Sequence, residues 1–110
     1  MNELLQVVTT TSSQDEAQRI ALGVVEKGLA ACVQVAGPIT SIYRWEGKLE
    51  TAEEWRCTLK THRDRWEALK AEVQAMHSYD EPEIIATAVT LASEGYERWV
   101  GAECQIETRK

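Results

Sequence analysis

Residues 31–60 read ACVQVAGPITSIYRWEGKLETAEEWRCTLK, and this stretch predicts a long β-hairpin. The glycine in WEGK (45–48) supplies a tight turn between two runs that are typical of strands. The two arms, 31–45 and 49–60, are each about twice the usual five- or six-residue strand. We therefore expect the tip of the hairpin to project beyond the rest of the fold.

The two arms are expected to meet the sheet in different ways. In the second arm Trp55, Cys57 and Leu59 alternate with charged or polar neighbours, which is typical of a strand with one buried face. Glu54 falls on the other, polar side of that strand. In the first arm Pro38 cannot donate a backbone hydrogen bond, which predicts an edge strand or a β-bulge at that point.

Two amphipathic helices are predicted on either side of the hairpin. Ser13 and Glu16 have the spacing of a capping box, and Gly28 is placed to end that helix in a left-handed conformation. Thr61 with Asp64 indicates the start of the second helix. The apolar stripes have helical spacing and consist of Ala17, Ile20, Ala21, Val24 and Val25 in the first helix and Trp66, Leu69, Val73 and Met76 in the second.

The ends of the chain add two outer strands and a closing helix. Residues 3–11 and 83–91 are rich in strand-forming residues, and the spacing of Tyr96, Trp99 and Val100 predicts a short helix. The order β-α-β-β-α-β with right-handed crossovers predicts a ferredoxin-like α+β sandwich. We assign one domain over residues 1–110, and Trp66 and Trp99 are expected in its helix-to-sheet core.

The outer strands are apolar on both faces, which a two-layer fold does not require. Leu4 and Leu5 point to opposite faces of one strand, and Ile84 and Ile85 do the same in another. Two helices cover only one face of a four-stranded sheet. We therefore expect further copies of the chain to cover the other face, in an obligate oligomer.

Composition excludes several classes of protein. The chain has 110 residues and a net charge of -6, with a mass of 12.4 kDa and an isoelectric point near 4.9. Such a negative field repels phosphate backbones, so nucleic acid is not an expected partner. No run is long and apolar enough to span a membrane, and no secretory signal is visible. Three cysteines without a C-x-x-C pair favour a reducing cytoplasm over a disulfide framework.

Five segments together resemble the CutA divalent-cation-tolerance family in order and spacing. They are LAACV (29–33), SIYRWEGKLE (41–50), LKT (59–61), HSYDEPEI (77–84) and YERWV (96–100). The resemblance implies a ferredoxin-like homotrimer with the architecture of PII signalling proteins, in which the long hairpins pair between subunits. It also implies a non-enzymatic role in tolerance to copper and other divalent metals.

The chain departs from the usual family pattern in the loop after the second helix. The family has His-Pro-Tyr-Glu there, whereas this chain has Ser78 in place of the proline and Asp80 in place of the glutamate. Asp80 keeps a carboxylate on a shorter stem. Loss of the proline is expected to loosen the loop.

The candidate metal ligands are Cys32 and His77, because copper prefers thiolate and imidazole groups. Cys32 matches the family's Ala-Ala-Cys-Val position, although a free cysteine is often a small buried apolar residue. The alternative for His77 is a polar side chain that satisfies carbonyls at a helix end. Cys57 is expected in the core, Cys104 is interpreted as incidental, and His62 is expected to be solvated.

Seven residues are candidates for a ligand site or cleft between subunits: Tyr43, Trp45, Glu50, Lys60, Tyr79, Asp80 and Glu83. The hairpin residues have two interpretations. They are either aromatic anchors and an ion pair that hold an interface, or the walls of a small-ligand cleft.

The sequence contains no signature of a catalytic site: its six glycines form no Walker loop, nucleophile elbow or dinucleotide-binding motif. Our leading hypothesis is a homotrimer that binds a divalent metal, copper by preference, in metal tolerance. The competing hypothesis is a PII-like sensor or scaffold that binds a small molecule or partner protein at the cleft. A hydrolase is a third alternative.

Overall fold

The computed structural model describes residues 3–105, which form one antiparallel sheet and helices packed against it. The elements are β1 Leu4–Thr11, α1 Gln14–Glu26, β2 Cys32–Trp45, β3 Lys48–His62, α2 Trp66–Met76, β4 Ile85–Ala88 and α3 Glu94–Glu103. The strand order is β2-β3-β1-β4, and each neighbouring pair is antiparallel. This order confirms the predicted ferredoxin-like α+β sandwich.

The hairpin of β2 and β3 projects as predicted. Its turn has left-handed backbone at Glu46 and Gly47, with φ of 49° and 81°, as a two-residue hairpin turn requires. The molecule measures 54 × 25 × 21 Å. Its radius of gyration is 14.9 Å, compared with about 13 Å for a compact domain of 100 residues.

The root of the hairpin contains the irregularity that Pro38 predicts. Strand β2 lies at the edge of the sheet, and its register with β3 shifts between Ala36 and Ile39. The backbone of Gly37 lies directly on the indole ring of Trp55. A Cβ atom at Gly37 would be 2.5 Å from Cδ1 of that ring, so this position requires glycine.

Helix α1 has both of its predicted ends. The backbone N–H of Glu16 donates to the hydroxyl of Ser13 at 3.1 Å. At the other end Gly28 has φ of 70°, and the N–H groups of Gly28 and Leu29 donate to the carbonyls of Val25 and Val24. These two bonds are the Schellman arrangement that ends a helix.

Helix α2 starts later than the sequence indicates. Thr61 remains in β3, where its hydroxyl donates to the Leu29 carbonyl at 2.7 Å. A 3-10 turn, Arg63–Arg65, then precedes the helix, and Nδ1 of His62 accepts from the N–H of Asp64 at 3.0 Å. The expectation of a solvated His62 is therefore wrong, because the side chain caps this turn.

One face of the sheet packs against α1 and α2, as predicted. The buried residues there are Leu5, Val7, Ala17, Ile20, Val24, Ala30, Cys57, Leu59, Leu69 and Val73. Trp66 and Met76 pack against this cluster, so the predicted seam of α2 is confirmed.

Helix α3 covers part of the other face of the sheet, and its packing overturns the expectations for Cys104 and Trp99. Leu4 and Ala31 pack there with Val100 of α3 and with Cys104, which directly follows that helix, so the chain itself covers one end of that face. Cys104 is fully buried, with Sγ 3.7 Å from the Thr61 hydroxyl, and is not incidental. Trp99 is 41% exposed and contacts Tyr96, so the expectation that it lies in the core is wrong.

Strand β4 is shorter than predicted, because regular pairing covers only Ile85–Ala88. Ile84 packs against the core, as the alternation of β4 requires, whereas Ile85 is exposed. Leu91 lies outside the strand and is also exposed. Between α3 and the root of the hairpin, Gln6, Val8, Thr58 and Lys60 on this second face are partly exposed within the single chain.

Candidate ligand-binding cleft

A cleft of about 560 Å³ opens where the hairpin leaves the sheet. One wall comes from the hairpin, and the other comes from the loop between α2 and β4 (77–84). The lining residues are Thr10, Ser41, Ile42, Tyr43, Trp45, Glu54, Tyr79, Asp80, Glu81 and Glu83. This volume lies in the range of small-molecule sites in proteins.

Glu54 is the buried carboxylate of the cleft and is only 8% exposed. The hydroxyl of Ser41 donates to Oε1 at 2.7 Å, and the hydroxyl of Tyr79 donates to Oε2 at 2.7 Å. The sequence places Glu54 on the polar side of β3, which is its side in the structure. Its burial was not predicted, because the covering loop comes from a distant part of the chain.

The aromatic wall comes from alternate positions of β2. Ser41, Tyr43 and Trp45 are two residues apart and point to one side of the strand, which is the side that faces the cleft. Trp45 is 55% exposed, so much of its ring is available for contact. From the opposite wall Tyr79 packs against His77, with ring centroids 5.0 Å apart.

The electrostatic character of the cleft is acidic. Besides Glu54, its walls carry the exposed carboxylates of Asp80, Glu81 and Glu83, and none of the described lining residues is basic. Burial raises the pKa of the Tyr79 phenol, and the neighbouring Glu54 carboxylate raises it further. Tyr79 therefore stays protonated and serves as a hydrogen-bond donor to Glu54.

The structure brings together five of the seven residues proposed for a cleft: Tyr43, Trp45, Tyr79, Asp80 and Glu83. Glu50 lies further out on the hairpin, opposite Tyr43, and is not a lining residue. Lys60 lies at the far end of β3, about 33 Å from Glu50 along the strand, and donates to Gln34. Glu50 and Lys60 therefore do not pair within one chain.

His77 lies behind the cleft with its side chain fully buried. Nε2 is 2.9 Å from the carbonyl oxygen of Thr10, and Nδ1 accepts from the N–H of Tyr79 at 3.2 Å. A carbonyl only accepts, so these contacts define a neutral imidazole with its proton on Nε2. Both ring nitrogens are already engaged, which leaves no free lone pair for a metal.

A second buried carboxylate, Glu16, anchors the loop next to His77. The backbone N–H of Ser78 donates to Oε2 of Glu16 at 2.7 Å, and the Ser78 hydroxyl donates to Oε1 at 3.0 Å. Burial acts to raise the pKa of Glu16, but the hydrogen bonds from Ser78 outweigh it and hold the pKa below its usual value. Ser78 thus ties the loop to α1, and these two hydrogen bonds oppose the loosening that loss of the proline predicts.

Cys32 lies in a different part of the sheet from His77. Its Sγ is 3.6 Å from the hydroxyl of Tyr96, whose pKa is raised to about 12 by burial and by this contact. Through Lys60, Cys32 aligns with Gln6, whereas His77 contacts Thr10, about 13 Å further along β1. Within residues 3–105 no three His, Cys, Asp or Glu side chains group as a metal site.

The donor set of Cys32 and His77 therefore does not fit a shared copper ion within one chain. Cys57 has the structural role that its position predicts: it is fully buried, and its Sγ donates to the carbonyl of Ala17 at 3.6 Å. Burial, together with the nearby Glu16, raises the pKa of the Cys57 thiol to about 11. The Cys57 thiol therefore stays protonated at neutral pH in the metal-free protein.

The fold and the cleft define a class of protein: a ferredoxin-like α+β domain whose overlong hairpin forms one wall of an acidic, aromatic cleft. The sequence model of the CutA1 divalent ion tolerance protein family matches residues 5–103. The chain belongs to this family, which confirms the resemblance in the sequence.

Relatives from two domains of life show the extent of the similarity. The divalent-cation tolerance protein CutA of Archaeoglobus fulgidus is 39% identical over 94 residues, which are 86% of this chain and 91% of that protein. The chloroplastic protein CutA of Arabidopsis thaliana is 36% identical over 94 residues. Those residues are again 86% of this chain, which spans only 52% of the length of the plant protein.

A solved structure confirms the fold. It is described as that of the periplasmic divalent cation tolerance protein CutA from Archaeoglobus fulgidus, and it matches with a TM-score of 0.89 and 37% identity. The match covers 92% of this chain and 98% of the other. Relatives are thus assigned to the periplasm and to chloroplasts.

In the part of the chain that the structure describes, no helix is long and apolar enough to cross a membrane.

Proposed function

We propose that this protein acts in divalent-cation tolerance as a non-catalytic, self-associating binding protein, with the cleft as its ligand site. Membership of the CutA1 family supports the general role. One observation carries the assignment of the site: the walls of the cleft hold aromatic faces, hydroxyl groups and a buried carboxylate in one concave space. Such a combination is typical of sites that bind small molecules.

A thermal-shift screen of metabolites and metal salts tests the proposed site. A ligand of the cleft should raise the melting temperature of the wild type and lose this effect in Trp45→Ala. Trp99→Ala is the matched control, because Trp99 is also an exposed tryptophan but lies in α3, away from the cleft. A ligand that stabilises both variants equally, or no ligand at all, would contradict the proposed site.

The proposed assembly is a homotrimer in which sister chains cover the hairpin. The projecting part exposes Ile42, Tyr43, Trp45 and Leu49, and an isolated two-stranded ribbon is only marginally stable in water. Light scattering is expected to give three times the chain mass of 12.4 kDa. A folded particle of single-chain mass at micromolar concentration would rule out this assembly.

Two leucines of similar exposure provide matched variants that test the proposed interface. Leu49 is 72% exposed at the hairpin tip, and Leu22 is 70% exposed on α1. Leu49→Glu is expected to reduce the scattering mass, because it places a charge in the proposed interface. Leu22→Glu should leave the mass unchanged. Equal effects of the two substitutions would contradict an interface at the hairpin.

Copper binding is the second candidate function, and the accessibility of Cys32 favours it. This thiol is half-buried, whereas Cys57 and Cys104 are fully buried. Calorimetric titration of copper into the wild type, Cys32→Ser and the Cys32→Ser, His77→Ala double variant measures the contribution of each residue. Loss of binding in Cys32→Ser would support a copper site there, and identical weak binding in all three proteins would remove both residues from it.

Three free cysteines support a reducing compartment, and the proposed location is therefore the cytoplasm. The proposed partners are sister chains and an unidentified protein that responds to the state of the cleft. Nucleic acid and membranes are not proposed as partners, since the net charge of -6 repels phosphate groups.

A further inference from the structure

We propose that His77 is a positioning residue of the cleft: its imidazole joins strand β1 to Tyr79 and holds the Tyr79 hydroxyl on Glu54. This inference rests on the proposed function, because Tyr79 forms part of the wall of the same cleft. It is carried by contacts that lie within one chain and behind the cleft, so it does not depend on what covers the hairpin.

The imidazole of His77 is fixed to the centre of the sheet. Helix α2 ends at His77, whose backbone ψ of 143° turns the chain into the loop that follows. The side chain is fully buried, and Nε2 lies 2.9 Å from the carbonyl oxygen of Thr10 and 3.2 Å from the hydroxyl of Thr9. Both threonines belong to β1, which lies between β3 and β4 in the sheet. A central strand therefore gives the imidazole a fixed reference.

The same imidazole holds Tyr79 at two points. Nδ1 of His77 accepts from the backbone N–H of Tyr79 at 3.2 Å. The phenol ring packs on the imidazole ring, with centroids 5.0 Å apart and planes inclined by 37°. A hydrogen bond to the backbone and a packing contact to the ring together restrict the direction that the Tyr79 side chain can take.

The direction of Tyr79 leads back to the sheet. Its hydroxyl donates to Oε2 of Glu54 at 2.7 Å. Glu54 lies in β3 two residues before Arg56, which is the partner of Thr10 in β1. The contacts therefore form a closed path from β1 through His77 and Tyr79 to β3. A side chain that lines a site keeps its geometry when a second layer of contacts supports it in this way.

His62 has the same local contact without the long connection. Its Nδ1 accepts from the N–H of Asp64, two residues further, at 3.0 Å, as Nδ1 of His77 does from Tyr79. The carboxylate near the His62 ring, 3.8 Å away, also belongs to Asp64. His62 therefore caps a turn, whereas His77 contacts a residue 67 positions away in the sequence. The two histidines form a matched pair for an experiment.

Tyrosine labelled with carbon-13 at Cζ gives a direct readout by NMR in the intact protein at neutral pH, without any ligand. The chain has three tyrosines, and the signal of Tyr79 is the one that Tyr79→Phe removes. Glu54→Gln supplies the reference position for a Tyr79 phenol that no longer meets a carboxylate. The hydroxyl of Tyr96 lies 3.6 Å from Sγ of Cys32, so the Tyr96 signal reports on the fold in a different part of the sheet.

Two substitutions of His77 separate its two hydrogen bonds. A glutamine amide nitrogen reaches the place of Nε2, and an asparagine oxygen reaches the place of Nδ1. His77→Gln therefore keeps a donor for Thr10 but loses the acceptor for Tyr79. It should move the Tyr79 signal to the position seen in Glu54→Gln and make amide exchange at Tyr79 roughly tenfold faster. His77→Asn keeps the acceptor and should move the signal less than His77→Gln does.

Two further variants serve as controls, and neither should move the Tyr79 signal. His62→Asn alters the histidine that only caps a turn. Ser78→Ala removes the hydroxyl bond between the loop and Glu16 but leaves the imidazole in place.

Three results would overturn the inference. An unchanged Tyr79 signal in His77→Gln would show that the imidazole does not position the phenol. An equal shift in Ser78→Ala would assign the positioning to the link with α1, and an equal shift in His77→Asn would assign it to ring packing.

The outcome remains decisive if His77→Gln loses its fold, which the Tyr96 signal would reveal. His77→Asn then decides, because its Tyr79 signal must stay closer to the wild type than to Glu54→Gln. Since the spectra need no ligand, the two proposals fail separately. A thermal-shift screen without any Trp45-dependent ligand would contradict the proposed site and leave the role of His77 towards Tyr79 unaffected.

Discussion

Two buried carboxylates lie in different regions of the molecule and have different surroundings. In the helix-covered body, Glu16 accepts from the backbone and side chain of Ser78 and has a histidine within 3.6 Å. At the root of the hairpin, Glu54 accepts only from two neutral hydroxyl groups and borders an open cleft. The same chemical group therefore ties a loop to a helix in one region and borders an open cleft in the other.

The largest expected effect is the loss of stability when the body carboxylate is replaced. Glu16→Ala should lower the free energy of unfolding by about 2–3 kcal/mol, because it removes the buried carboxylate that accepts two hydrogen bonds from Ser78. Glu26→Gln, an exposed change in the same helix, is the control and should change stability by less than about 0.5 kcal/mol. Urea unfolding followed by circular dichroism measures both. Equal stability of the two variants would contradict a structural role for Glu16.

The contribution of Glu16 is also expected to depend on pH. Because its folded pKa is lowered, the stabilisation is fully present above the unfolded value near 4.3 and is lost as the pH falls through the folded pKa. The difference in stability between the wild type and Glu16→Gln should therefore be constant from pH 7 to pH 5 and shrink below about pH 4. Urea midpoints at a series of pH values measure this difference. A difference that grows towards low pH would contradict the assignment.

At the root of the hairpin, close packing rather than charge maintains the geometry. Gly37→Ala should destabilise the protein by about 1–3 kcal/mol, because the new methyl group overlaps the Trp55 ring. Gly101→Ala in α3 is the matched control. No atom lies within 4 Å of the position of its added Cβ, and it should be neutral or stabilising by up to about 1 kcal/mol. Thermal unfolding of the two variants distinguishes steric overlap from a general effect of replacing glycine.

The smallest predicted effect separates the two hydrogen bonds that Ser78 donates. Ser78→Ala removes only the hydroxyl bond and should cost about 1 kcal/mol, whereas Ser78→Pro also removes the N–H and should cost about 1–2 kcal/mol. His77 has ψ of 143°, which is compatible with a following proline, so backbone strain is not the expected cause. A proline variant that is more stable than the wild type would show that the Glu16 contact has no structural value.

Local patterns in the sequence were sufficient for most of the fold. Alternation in the hairpin, the spacing of apolar residues in two helices and the Gly28 cap all correspond to observed elements. The errors occur where a tertiary contact outweighs a local signal. Thr61 resembles a helix cap but is held in β3 by the Leu29 carbonyl, and Cys104 is buried because α3 packs against the end of the sheet.

The site was predicted only in part, for a related reason. The aromatic residues of the hairpin were identified because large exposed rings on a projecting strand require an explanation. Glu54 was missed, because its position on the polar side of β3 predicts solvent exposure. Its burial depends on Tyr79, which is 25 residues away in the sequence.

The sequence by itself determined the order of the strands and helices, the excess length of the hairpin and the membership of the family. These properties follow from short-range periodicity and from motifs that are contiguous in the chain. Only the tertiary structure decided that Glu16 is hydrogen-bonded to the loop after α2 and that Glu54 lies in the cleft. Contacts such as Ser78 with Glu16, 62 residues apart, form when the chain closes on itself, and no local pattern records them.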